Sequence, residues 1–68
     1  MTNFIHLMSL EYDEVKWVAY VDIYINPVHI VQLYSDGEVT VISFDNRESV
    51  HVSETYDEIL DKIFRSEH

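Results

Sequence analysis

Between positions 15 and 25 every odd residue is apolar: Val15, Trp17, Ala19, Val21, Ile23 and Ile25. Side chains two apart along a strand share a face, whereas a helix would scatter these six around its circumference. The run therefore predicts a long β-strand with one continuous apolar face. A face of that length has to be buried against further strands or a helix. The even positions carry Lys16, Val18, Tyr20, Asp22 and Tyr24. The opposite face is thus expected to present tyrosines and a valine among charged groups.

Punctuation on either side of this strand organises the rest of the chain. Positions 4–10 are mostly apolar, with His6 and Ser9 as polar breaks, and read as a first strand before the polar cluster Glu11, Tyr12, Asp13, Glu14. Asn26-Pro27 ends the long strand, because proline lacks a backbone donor and pushes its predecessor to extended geometry. Pro27-Val28-His29 fits one helical turn capped by Asn26. Positions 30–34 form a third strand, and Ser35-Asp36-Gly37 a hairpin turn in which Gly37 tolerates positive φ. Positions 38–44 form a fourth strand, Asp45-Asn46-Arg47 a turn, and 49–53 a fifth strand with Val50 and Val52 facing inward.

The last segment reads as a helix over about 55–65. Thr55 and Glu58 make a capping box, in which each side chain satisfies the other residue's free N–H. Tyr56, Ile59, Leu60, Ile63 and Phe64 follow at spacings of three and four, which makes one apolar stripe. Glu58 with Lys62 and Asp61 with Arg65 are i,i+4 pairs in the favourable order. The fold expected is mainly β (α+β). It is a five-stranded antiparallel SH3-like barrel, or a strongly bent sheet, closed by one C-terminal helix and forming a single domain over 1–68.

A chain of 68 residues buries only about 60% of its unfolded surface. No cysteine is present, so a disulfide cannot reinforce this small core, and self-association is the expected source of extra stability. With 47% hydrophobic residues the chain is not a disordered tail, and no apolar run reaches membrane-helix length. Positions 1–10 lack a basic leader region, so a signal peptide is not expected and the cytosol is the expected compartment. Thirteen acidic residues against four Lys and Arg give −9, which opposes direct binding to nucleic acid or anionic lipid.

Catalytic signatures are missing from the sequence. Gly37 is the one glycine, so no glycine-rich phosphate loop exists, and no serine sits in a G-x-S-x-G elbow. His6, His29, His51 and His68 lack the close spacing of a preformed metal site. Neither enzyme activity, nor a cofactor, nor a metal is expected.

The stretch Tyr24-Ile25-Asn26-Pro27-Val28-His29-Ile30 resembles the (Y/V)-(L/I)-N-P-x-x-I opening of the small FlbD-like proteins. These are short bacterial and phage-associated chains, some linked to flagella and swarming. The similarity covers roughly 17–65, with the order N-P turn, strand, polar-Gly hairpin, strand pair and terminal helix. The chain departs from that pattern at Asp45-Asn46-Arg47, where the family commonly has a glycine. The resemblance implies a small β-barrel without known catalysis, and it carries over no catalytic residue.

Three modes of action are expected from these features. The first is a homo-oligomeric regulator that contacts protein through Val18, Tyr20, Tyr24 and Tyr34. The second is an oligomer that binds or sequesters a nucleotide-like small ligand, with His29 and Arg47 facing its phosphates. The third is an acidic decoy, as phages use against hosts, which inhibits a basic nucleic-acid-binding protein by occupying its site.

Overall fold

A computed structural model describes residues 4–66 of the protein. Five antiparallel strands and one helix follow in the order β1 (Ile5–Tyr12), β2 (Trp17–Ile25), a 3-10 turn (Pro27–His29), β3 (Ile30–Asp36), β4 (Val39–Phe44), β5 (Ser49–Val52) and α1 (Tyr56–Ser66). The strands form one sheet in the order β2-β1-β5-β4-β3. β2 and β3 are its edges, and among the described residues no ladder joins them. The sheet is open, not a closed barrel.

The two edges are nevertheless consecutive in sequence, and this forces the sheet to curl. Ile25 ends β2 and Ile30 begins β3, so the intervening chain spans at most about 18 Å even when extended. A flat five-stranded sheet would separate its edges by about 19 Å. The 3-10 turn shortens the reach further. Asn26 holds that turn, since its Oδ1 accepts from the Val28 N–H at 3.1 Å and its carbonyl accepts from the His29 N–H at 3.1 Å.

Both edge strands carry a bulge. β1 pairs with β2 as Met8↔Asp22 and then Leu10↔Ala19, so Ser9 is opposed by one residue too many on β2. β3 pairs with β4 as Ile30↔Phe44 and then Gln32↔Ser43, which leaves Val31 as the extra residue. Bulges bend and twist a strand, and on an edge they also discourage pairing with another sheet.

The β2 bulge overturns the expectation of one continuous apolar face. Ile25 and Ile23 oppose Ile5 and Leu7 on the core face, but beyond the bulge Ala19 and Trp17 oppose Leu10 and Tyr12 on the other face. An inserted residue shifts the two-residue side-chain period, so every position on its far side changes face. Val21 is 45% exposed, and Val15, at 81%, lies in the hairpin loop rather than in the strand. Ser9 occupies the irregular site. Its hydroxyl donates to the Val21 carbonyl at 2.8 Å and accepts from the Val21 N–H at 3.2 Å.

The core comprises Ile5, Leu7, Ile25, Ile42, Val52 and Ile59, with Ile23, Ile30, Leu33, Phe44, Val50 and Ile63 packed around it. α1 lies against β1 and β3. Its expected stripe is only partly used: Ile59 is fully buried, while Tyr56 and Phe64 stay 41% and 60% exposed. A single helix over a curled sheet meets it along a line narrower than the stripe. The capping box forms, with the Glu58 N–H donating to Thr55 Oγ1 at 3.2 Å. Asp61 pairs with Arg65 at 3.0 Å, whereas the Glu58 carboxylate turns back to Thr55.

In the β1–β2 loop, Asp13 Oδ1 accepts from the Lys16 and Val15 N–H groups at 2.9 and 3.1 Å. Those backbone donors, Lys16 foremost, hold the Asp13 carboxyl below its ordinary range. Its support for the loop is present above the ordinary carboxylate pKa and is lost as pH falls through the lowered one.

The joint at Ser9 gives the clearest stability test. Ser9→Ala leaves the partly buried N–H and carbonyl of Val21 without their side-chain partner, so chemical denaturation should show a loss of about 1–1.5 kcal/mol. A change below about 0.5 kcal/mol would show that the bulge does not depend on the hydroxyl.

Candidate interaction surface

The bulge also redistributes the residues expected to form a contact surface. Tyr24 opposes His6 on the second face of the sheet, whereas Val18 opposes Glu11 on the core side. Val18 and Tyr24 therefore do not share a face, contrary to the alternation in the sequence. Tyr20 lies at the bulge itself and is 65% exposed, and Tyr24 is 69% exposed. Tyr34 stands on β3 at the opposite edge of the sheet and opposes Val41.

Aromatic groups overlooked in the sequence give the second face its character. Trp17 stacks on His51 with centroids 4.6 Å apart, and Tyr12 meets Trp17 edge-on at 5.3 Å. His51 opposes Val41, which opposes Tyr34. Tyr12, Trp17, His51, Val41 and Tyr34 thus form a row across the second face. Of this row, only Trp17 belongs to the odd-position alternation, and the bulge puts it on the face opposite to the one expected.

Two shallow clefts flank a second aromatic pair. His6 stacks on Tyr24 at 5.0 Å, and its Nε2 lies 2.7 Å from Asp22 Oδ1. On one side a cleft of about 440 Å³ opens between the end of β2, the 3-10 turn and the β4–β5 turn. Its walls include Tyr24, Phe44, His29, Asp45 and Glu48, and no lysine or arginine lines it. His29 is held there by Asp45, whose Oδ2 lies 2.8 Å from Nδ1 and whose N–H donates to the His29 carbonyl at 3.1 Å. On the other side a cleft of about 390 Å³ lies between the start of β1 and the end of α1, lined by Phe4, Ile5, His6, Lys62 and Arg65.

His29 and Arg47 do not converge. Arg47 does not line the cleft that contains His29. The β4–β5 turn places Arg47 in the left-handed region, φ 72°, where its N–H donates to the Phe44 carbonyl at 3.1 Å. Asp45 and Glu48 make that cleft anionic, which disfavours a phosphate. Three histidines fall within the described residues, each with its own neighbour: His6 with Asp22 and Tyr24, His29 with Asp45, and His51 with Trp17. His68 lies outside the described residues. Among the described residues, no three metal-ligating side chains cluster, and no helix is long and apolar enough to cross a membrane.

Comparison of the chain with family models, with curated proteins and with solved structures gives no match. The functional reading therefore rests on the surface just described.

The strained turn offers a check on Arg47. A side chain in the left-handed region is disfavoured by about 1–2 kcal/mol, partly offset by the unfolded-state freedom of glycine. Arg47→Gly should leave the unfolding free energy unchanged or raise it by up to about 1 kcal/mol. A clear loss of stability would assign the Arg47 side chain a structural grip that the geometry does not contain.

Proposed function

We propose that this protein is a non-enzymatic binding and regulatory module that acts through protein–protein contact, beginning with self-association. The observation that carries this reading is the exposure of large apolar side chains on the two edge strands. Tyr20, Val21 and Tyr24 on β2 and Val31 and Tyr34 on β3 are each at least 42% exposed. Tyrosines supply broad, rigid contact area with a polar tip, and they are enriched where proteins meet. A small core leaves such a chain more to gain from a partner than a large domain would.

The same reading treats the curled sheet as a partly open SH3-like barrel with its seam between β2 and β3. The resemblance of the Asn26-Pro27 segment to the FlbD-like proteins supports it, because that family is one of small barrels without known catalysis. A small anionic ligand at His29 is the weaker reading, given the carboxylates of Asp45 and Glu48 in that cleft.

The test is a double substitution on the exposed strand. Tyr20→Ser with Tyr24→Ser should change the unfolding free energy by less than about 1 kcal/mol, as exposed sites do. Self-association or capture of a protein partner should weaken at least tenfold, read by light scattering coupled to size exclusion. Unfolding of the variant would show that the tyrosines hold the fold, and unchanged assembly would remove them from the contact surface.

A further inference from the structure

The two clefts have opposite charge and share a wall. Ile5 and His6 line the basic cleft, while Ile25 and Tyr24 line the acidic one. Ile5 opposes Ile25 and His6 opposes Tyr24 in the β1–β2 ladder. The clefts therefore adjoin across one pair of strands, with the His6–Tyr24 stack between them. Two of the four Lys and Arg residues of the chain, Lys62 and Arg65, line the basic side. No Lys or Arg lines the acidic side, where Asp45 and Glu48 stand.

We propose that these clefts are the two halves of one self-complementary interface, in which a second copy of this chain docks about a two-fold axis near the His6–Tyr24 stack. This rests on the self-association reading above and gives it a location. In a two-fold contact, any residue of one copy that meets a second residue of the other does so twice, reciprocally. An axis between adjoining clefts of opposite charge sets the Lys62 and Arg65 side of each copy against the Asp45 and Glu48 side of the other.

Charge makes this arrangement selective. Each copy carries −9, so contacts between its predominantly acidic surfaces bring like charges together. A contact through the basic cleft places cations opposite carboxylates on both sides of the axis. The groups involved are free to re-pair, because the Asp61–Arg65 bond is a surface contact with the Arg65 side chain 80% exposed. Apolar contact is available within them, with Phe4 of the basic cleft 60% exposed and Tyr24 of the acidic cleft 69%. A standard interface takes about 800 Å² from each partner, roughly a sixth of the 4997 Å² surface of this chain.

Salt titration is a poor test, since salt screens both the overall repulsion and the local attraction. A charge swap separates them. Glu48→Lys alone and Arg65→Glu alone should each weaken the dimer at least tenfold, measured by native mass spectrometry across a dilution series. Both positions are exposed, so far-ultraviolet dichroism should stay unchanged. An equimolar mixture of the two variants should recover a heterodimer within about threefold of the wild-type affinity. In that heterodimer the lysine introduced at position 48 of one copy faces the glutamate introduced at position 65 of the other. A wild-type chain that stays monomeric up to millimolar concentration would overturn the proposal. So would a dimer that neither substitution weakens, an outcome that places self-association elsewhere and leaves the self-association reading standing. Failure of the mixture to rescue two individually weakened variants would overturn it as well.

Discussion

The β1–β2 hairpin and the β3–β4–β5 meander are joined at one register pair, Ser9 with Val52, and the architecture depends on that joint. Around it the backbone is completed by unusual means. The Ser53 N–H donates to the Met8 carbonyl at 3.0 Å, and the Met8 N–H donates to both carboxylate oxygens of Glu54 at 3.1 Å. The Glu54 carbonyl in turn accepts from Thr40 Oγ1 at 2.7 Å. A side-chain carboxylate thus extends the ladder where β5 has ended. On the opposite side of β1 the Ser9 hydroxyl serves the Val21 backbone within the bulge. Unpaired backbone groups at partly buried positions are costly, so these few side chains decide whether the hairpin and the meander become one sheet.

The sequence specifies the elements well and their faces less well. Asparagine and proline at positions 26 and 27, glycine at 37 and the Thr55–Glu58 box each act through local chemistry, and each appears where local chemistry puts it. The long strand was equally legible as a strand. Its facing was not, because alternation within one segment cannot show an extra residue that exists only relative to a partner. The one available sign was Ser9, a polar residue buried at a core-facing position of β1. Exposure was hidden in part for the same reason: Val21 belongs to the face expected to be buried, yet beside the bulge of an edge strand it is 45% exposed.

The surface was legible only in part. Tyr20, Tyr24 and Tyr34 stand out as exposed aromatics in sequence and in structure, yet Tyr24 and Tyr34 lie on opposite edges of the sheet. In the sequence Lys62 and Arg65 read as members of helix i,i+4 pairs and Asp45 as a turn residue, with no role apparent for Glu48. Their sorting into two adjoining clefts follows from tertiary geometry, because α1 returns to the start of β1 while the β4–β5 turn approaches the end of β2. A two-fold contact sets each recess against its opposite on the second copy and closes at two subunits.

The measurement that bears most directly on this account is an isotope-filtered nuclear Overhauser experiment on a mixture of labelled and unlabelled chains. The account predicts intermolecular contacts from the Phe4, Lys62 and Arg65 side chains of one copy to Tyr24 and Phe44 of the other, without contacts across Tyr34 on the far edge. A dimer whose intermolecular contacts fall on β3, or on the Tyr12–Trp17–His51 row, would contradict it.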